Sequence, residues 1–210
     1  MGWLVLVGGA GGHWATTEAI DRAAVASIRR DGPIAFLPSP GAEPEYGTSF
    51  LDHYGRLGAP AGVVVDLGDA SHVRLLIEAS LIYISGGDTK ELLRIMAGAA
   101  ALDAMAQAHD AGAVIVGASA GAIAMAAWGV PLDPSVDALK GWGWLPSVIV
   151  APHHDTERGA RLRAVLDRRP GHVGLGIPDD TALALGPEGE TVTWGTAEID
   201  IVPGAEFDET

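Results

Sequence analysis

The chain has 210 residues, 48% of them hydrophobic, no cysteine and a formal net charge of −14. Without cysteine there is no disulfide, thiolate metal site or cysteine nucleophile, and the acidity argues against a nucleic-acid partner, which needs a concentrated basic surface. No apolar run reaches the roughly 20 residues of a membrane span, and the length suits one medium domain, 1–210, with a sizeable core.

The chain opens on Gly2-Trp3-Leu4-Val5-Leu6-Val7 with no basic region before it. That reads as a first buried strand and not a signal peptide, which makes the cytoplasm the expected location. Further apolar runs at 34–38, 62–66, 81–85, 113–116 and 148–151 read as strands, with helical stretches at 17–30, 72–79, 89–111 and 156–167 between them. Continuous apolar strands separated by helices predict an α/β protein with a mostly parallel sheet covered on both faces. After residue 172 the pattern shortens to strands at 173–177, 182–185, 191–194 and 199–202, parted by Pro178-Asp179-Asp180 and Gly186-Pro187-Glu188-Gly189. This predicts a short antiparallel closing element.

In open α/β sheets, sites form beyond the carboxyl ends of the strands. The most informative of these ends is Gly117-Ala118-Ser119-Ala120-Gly121, between the strand at 113–116 and an alanine-rich helix. A G-x-S-x-G sequence in a strand–turn–helix setting is a nucleophile elbow, with Ser119 lifted above the sheet on a strained turn. The same residues would also serve as a capped helix start. Ser85-Gly86-Gly87-Asp88-Thr89 ends another strand. Its glycines let backbone approach a ligand, Asp88 or Thr89 can cap the helix, and the Gly87 amide could pair with that of Ala120 as an oxyanion hole. The strand at 148–151 ends in Pro152-His153-His154-Asp155, placed in the same sheet as Ser119. Neighbouring strand residues face opposite ways, so one of the two histidines should reach the serine as base. His13 on the glycine loop is a third candidate. Asp133 and Asp137 are the acids between Ser119 and His153, and either could orient the imidazole. The loop Gly8 to Gly12 does not make a dinucleotide fingerprint, because Trp14 stands where the third glycine would fall. Adjacent histidines lack the i, i+4 spacing of a helical metal site, so no metal and no cofactor are expected.

Several motifs resemble those of the S51 serine peptidases, which include aspartyl dipeptidases (peptidase E) and cyanophycinases. They are Ile84-Ser85-Gly86-Gly87-Asp88-Thr89, Gly117-Ala118-Ser119-Ala120-Gly121-Ala122, Pro152-His153, Arg158-Gly159-Ala160-Arg161-Leu162 and Gly176-Ile177-Pro178-Asp179-Asp180-Thr181-Ala182. The resemblance implies a three-layer α/β/α fold of the class I glutamine amidotransferase type, flavodoxin-like in its sheet. It implies Ser119 as nucleophile, His153 as base and Gly87 with Ala120 as oxyanion donors, and it favours Asp133 over Asp137 by location in the loop after the elbow helix. It implies small peptides as substrates, with N-terminal or β-linked aspartate. Gly86, Asp88, Thr89 and His154 would then line the substrate site, with Arg158 and Arg161 clamping the aspartate carboxylate. A homodimer is an open expectation. An α/β-hydrolase esterase and a catalytically silent binding or sensor protein remain the alternatives.

Overall fold

The computed structural model describes residues 1–10, 14–97 and 100–207. Leu4–Val7 (β1), Ile34–Leu37 (β2), Gly62–Val64 (β3), Leu81–Ile84 (β4) and Val114–Ala118 (β5) run parallel in one sheet. They are apolar throughout because successive side chains point to opposite faces and both faces are covered. On one face, Val5, Phe36 and Val116 pack with Ile20 of Trp14–Ala26 (α1) and with Phe50 and Tyr54 of Pro44–Arg56 (α2). On the other, Leu6, Ile82, Ile84 and Ile115 pack with Leu76 of Ala70–Glu78 (α3) and Met96 of Thr89–Met96 (α4). Met105 of Ala100–Asp110 (α5) and Met125 of Ala120–Met125 (α6) complete that face. The result is the three-layer α/β/α fold that the pattern predicts. Thr181–Leu185 (β10) and Thr191–Gly195 (β11) extend the sheet antiparallel beyond β1, giving the order β11-β10-β1-β5-β4-β2-β3.

The remaining strands depart from expectation. Ala126–Gly129 (β6), Leu139–Lys140 (β7), Leu145–Pro152 (β8), Val173–Ile177 (β9) and Asp200–Pro203 (β12) form a second sheet, ordered β12-β9-β8-β6-β7. Helix Thr156–Leu166 (α7) covers it, with Leu162, Val165 and Leu166 packed against Ile149 and Ala151. The strand that leads to His153 therefore does not share a sheet with Ser119, and the four C-terminal strands split evenly between the two sheets. The chain passes from the second sheet to the first at Pro178-Asp179-Asp180, where Asp180 takes a left-handed φ of 56°. Proline and a left-handed residue cannot continue a regular strand, so β9 stops and β10 starts in the other sheet.

Two helices also differ. The stretch expected as one helix over 89–111 is α4 and α5. Helix α2 was not expected, since Gly47 and Gly55 dilute its pattern, yet Gly47, Phe50 and Tyr54 form a buried stripe at helical spacing.

Candidate active site

Ser119 sits at the junction of β5 and α6 with φ 52° and ψ −105°, a conformation that L residues avoid. The glycines around it are required by close approach. A Cβ at Gly121 would lie 2.5 Å from the Ile84 carbonyl oxygen, and one at Gly117 would lie 2.6 Å from the Met125 sulfur. With both absent, α6 seats directly under the sheet and the elbow closes. Ala120 is the first residue of α6, so its amide is among those a helix start leaves without an internal partner.

His153 follows β8 and also has a left-handed φ, 50°. The Ser119 hydroxyl donates to His153 Nε2 at 2.8 Å. His153 Nδ1 lies 2.6 Å from Asp179 Oδ1. A carboxylate can only accept, so the proton resides on Nδ1 and leaves Nε2 bare to receive that of the serine. The three residues come from three places: the end of β5, the end of β8 and the corner between β9 and β10.

The end of β1 brackets all three at the backbone. The carbonyl of Val7 accepts from the Ser119 amide at 2.9 Å, that of Gly8 from His153 at 3.0 Å, and that of Gly9 from Asp180 at 2.9 Å. A Cβ on Gly9 would lie 2.1 Å from His153 Cε1 and 2.5 Å from Asp179 Oδ1. Gly9 therefore makes room for the imidazole and the carboxylate. Residues Gly11, Gly12 and His13, the last a candidate base, lie outside the described residues.

Several expected site residues are elsewhere. Asp133, the expected acid, is not beside the histidine: its Oδ1 accepts from the Ser135 amide at 2.8 Å and hydroxyl at 2.7 Å. Those bonds lower its pKa. The acid beside His153 is Asp179, which sequence reasoning missed although it lies in a motif already singled out. Its signal was position, a carboxylate in a tight corner directly beyond a strand end. Arg158 is not available as a carboxylate clamp, because its guanidinium is buried and donates to the carbonyls of Pro152, Val130 and Pro131 at 2.6, 2.7 and 3.2 Å. Arg161 likewise donates to Pro131 at 2.9 Å and to Asp133 at 3.2 Å. The two arginines hold the loop before β7 against the end of β8. His154 points away from Ser119, packs where a side chain on Gly176 would clash, and pairs with Asp200 at 3.3 Å.

Gly86 and Gly87 are in place. With Ser119, His153, Tyr46 and Leu132 they line a cavity of about 290 Å³. A second cavity of about 280 Å³ adjoins it through Gly87 and Leu132 and is lined by Asp88, Thr89, Lys90 and Asp133. Asp88 itself caps α4, accepting from the Glu91 amide at 3.0 Å. Among the described residues there is no cluster of three metal-ligating side chains and no helix long and apolar enough to cross a membrane.

A serine on a strained elbow, bonded to a histidine that a carboxylate holds, is the constellation of serine hydrolases that work through an acyl-enzyme. Within that class the chain belongs to peptidase family S51, whose family model matches residues 4–193. It is 27% identical to the cyanophycinase of Geminocystis herdmanii over 96% of this chain and 80% of the relative. It is 28% identical to that of Trichormus variabilis over 84% of this chain, and there it spans only 65% of the relative's length. Among solved structures, a peptidase from an acI-B1 Actinobacterium superposes with a TM-score of 0.75 at 23% identity, covering 97% of this chain and 91% of that one. A putative peptidase E from Listeria monocytogenes gives 0.62 at 15%, covering 94% and 100%. At these identities the two structures establish the fold.

Proposed function

We propose that the protein is a cytoplasmic serine peptidase that hydrolyses small peptides, in particular dipeptides with N-terminal or β-linked aspartate. The observation that carries the reading is the pair of hydrogen bonds that His153 makes, accepting from Ser119 and donating to Asp179. Ser119 Oγ attacks the peptide carbonyl while His153 Nε2 takes its proton. Asp179 stabilises the resulting imidazolium, and the amides of Gly87 and Ala120 receive the oxyanion. His153 then returns the proton to the leaving amine, and water, activated by the same Nε2, releases the acyl group.

The preference for aspartate rests on the resemblance to aspartyl dipeptidases and on the modest size of the cavity at Ser119. Since Arg158 and Arg161 are engaged with backbone, Lys90 in the adjoining cavity supplies the cation for the substrate carboxylate. The relatives named cyanophycinase support a second substrate, cyanophycin.

The purified protein should be tested on Asp-X and β-Asp-X dipeptides, their alanyl counterparts and cyanophycin. Faster release from the aspartyl dipeptides is expected, with Ser119→Ala losing on the order of 10⁴–10⁶ in kcat. Equal rates on alanyl peptides would remove the aspartyl specificity, and cleavage of cyanophycin alone would move the assignment to the polymer. Hydrolysis that survives Ser119→Ala would overturn the mechanism.

A further inference from the structure

Ser39 lies between Pro38 and Pro40 at the end of β2. A following proline confines Ser39 to extended backbone, and the Ser39 carbonyl accepts from the Ala42 amide at 3.0 Å. Its hydroxyl is thus presented from a fixed position. The Ser39 hydroxyl donates to the carbonyl of Gly86. Ser39 Oγ is also 2.9 Å from Ser85 Oγ. Tyr46 is hydrogen-bonded to Ser85 in turn, and burial pushes its phenol pKa up, so it keeps its proton. Each hydroxyl has one proton to give. With that of Ser39 given to Gly86, the Ser85 hydroxyl lies within reach of Ser39 and, at 3.4 Å, of the same Gly86 carbonyl, so the two serine hydroxyls converge on a single acceptor with Tyr46 hydrogen-bonded behind Ser85.

The Gly86 carbonyl and the Gly87 N–H belong to one trans amide, so holding one sets the direction of the other. The glycine strip lies between two serines. A Cβ on Gly87 would be 2.8 Å from Ser39 Cβ, and one on Gly86 would be 3.2 Å from Ser119 Cβ. A carbonyl drawn toward Ser39 therefore turns the Gly87 N–H toward Ser119. Two consecutive glycines also offer little steric resistance to rotation of the amide between them, so the orientation needs an external hold.

We propose that Ser39, backed by Ser85 and Tyr46, is a positioning residue that aims the Gly87 amide as an oxyanion donor. The proposal rests on the hydrolase reading above but needs no knowledge of the substrate. Its test is the second-order rate at which a fluorophosphonate probe modifies Ser119, since the phosphoryl oxygen occupies the oxyanion site during that reaction.

Ser39→Ala is expected to slow labelling by about 10- to 100-fold, part of the 10²–10³ that complete loss of an oxyanion donor costs. The pH dependence of the reaction should keep its shape, because the histidine and its acid are untouched. Ser39→Thr, which keeps the donor, should stay within about threefold of wild type by the same reasoning. It also serves if the alanine variant fails to fold.

Three outcomes overturn the proposal. One is a Ser39→Ala rate within twofold of a labelled wild type, another a displaced pH profile, and the third an equal loss in Ser39→Thr. A wild type that the probe does not label at Ser119 would overturn the hydrolase reading and this inference with it.

Discussion

Asp133 and Asp179 are both carboxylates in loops, and their different partners separate them. Asp133 folds back on Ser135 two residues along, a local turn that needs no tertiary contact. Asp179 reaches His153 across a sequence separation of 26 residues. Asp179→Asn should therefore lower kcat while Asp133→Asn stays within about twofold, read with the best peptide from the substrate panel. In buried triads the loss of the acid costs about 10⁴, largely through the wrong imidazole tautomer. The Asp179 side chain is 45% exposed, and water can replace part of its effect. The expected loss is accordingly about 10²–10³. Full activity in Asp179→Asn, or a dead Asp133→Asn, would contradict the arrangement. Arg158 teaches the same lesson at a cation. Its three backbone acceptors satisfy the guanidinium inside the protein, so it organises the strand end beside His153 and is not free to meet a ligand.

At the scale of elements, the end of β1 has a larger part than any nucleotide-like glycine motif would give it. Successive carbonyls of Val7, Gly8 and Gly9 accept from Ser119, His153 and Asp180, so one strand end sets the relative positions of the other three segments. This makes Gly9 sensitive. In Gly9→Ala the new methyl would meet the imidazole of His153 at 2.1 Å, and either the ring or the loop must move. Overpacking of this kind costs about 1–3 kcal/mol, which in a domain of this size corresponds to a fall in Tm of about 2–12 °C. Activity should fall much further, by 100-fold or more, since an ångström of misplacement at a reacting group costs about that. Calorimetry and kcat/KM on the same preparation check it. A variant with lowered Tm but wild-type kcat/KM would show that the bracket is structural only.

At the scale of the molecule, the core carries a buried carboxyl within an acidic protein. Asp21 accepts from His53 at 2.9 Å, Tyr54 at 2.9 Å and Thr17 at 3.0 Å, yet desolvation outweighs these bonds and raises its pKa above 3.8. A carboxyl with a raised folded pKa binds its proton more readily in the folded state. Its contribution to stability is thus full below pH 3.8 and is lost as pH rises through the folded value. Asp21→Asn keeps the shape and removes this titration. Between pH 7.5 and pH 4.5 the wild type should therefore gain Tm relative to Asp21→Asn. His109, whose pKa burial lowers, is common to both proteins and cancels. A Tm difference that does not change with pH, followed by thermal denaturation across that range, would contradict the assignment.

What could be read from the chain itself was local. Gly117 to Gly121 declared an elbow because the G-x-S-x-G pattern and its setting between an apolar strand and a helix lie in consecutive residues. The apolar strands and the helices between them implied three layers, because a strand buried on both faces must be apolar at every position. That one of His153 and His154 would reach Ser119 was expected from strand alternation, yet His153 lies beyond β8 with a left-handed φ, and that turn is what parts the two rings. Helix α2 was illegible because its stripe is built from glycine and aromatic residues on an otherwise polar surface. The second sheet was illegible for a deeper reason. An apolar run such as Val148 to Ala151 is equally content in either sheet, and only the corner at Pro178 to Asp180 and the pairing of β8 with β6 and β9 decide between them. That decision placed His153 opposite Ser119 from another sheet and brought Asp179 to it. Sequence order offered Asp133 because it lay between the other two residues. Tertiary structure chose Asp179 because a hydrogen bond depends on distance in space, and the chain closes that distance only where its two sheets meet.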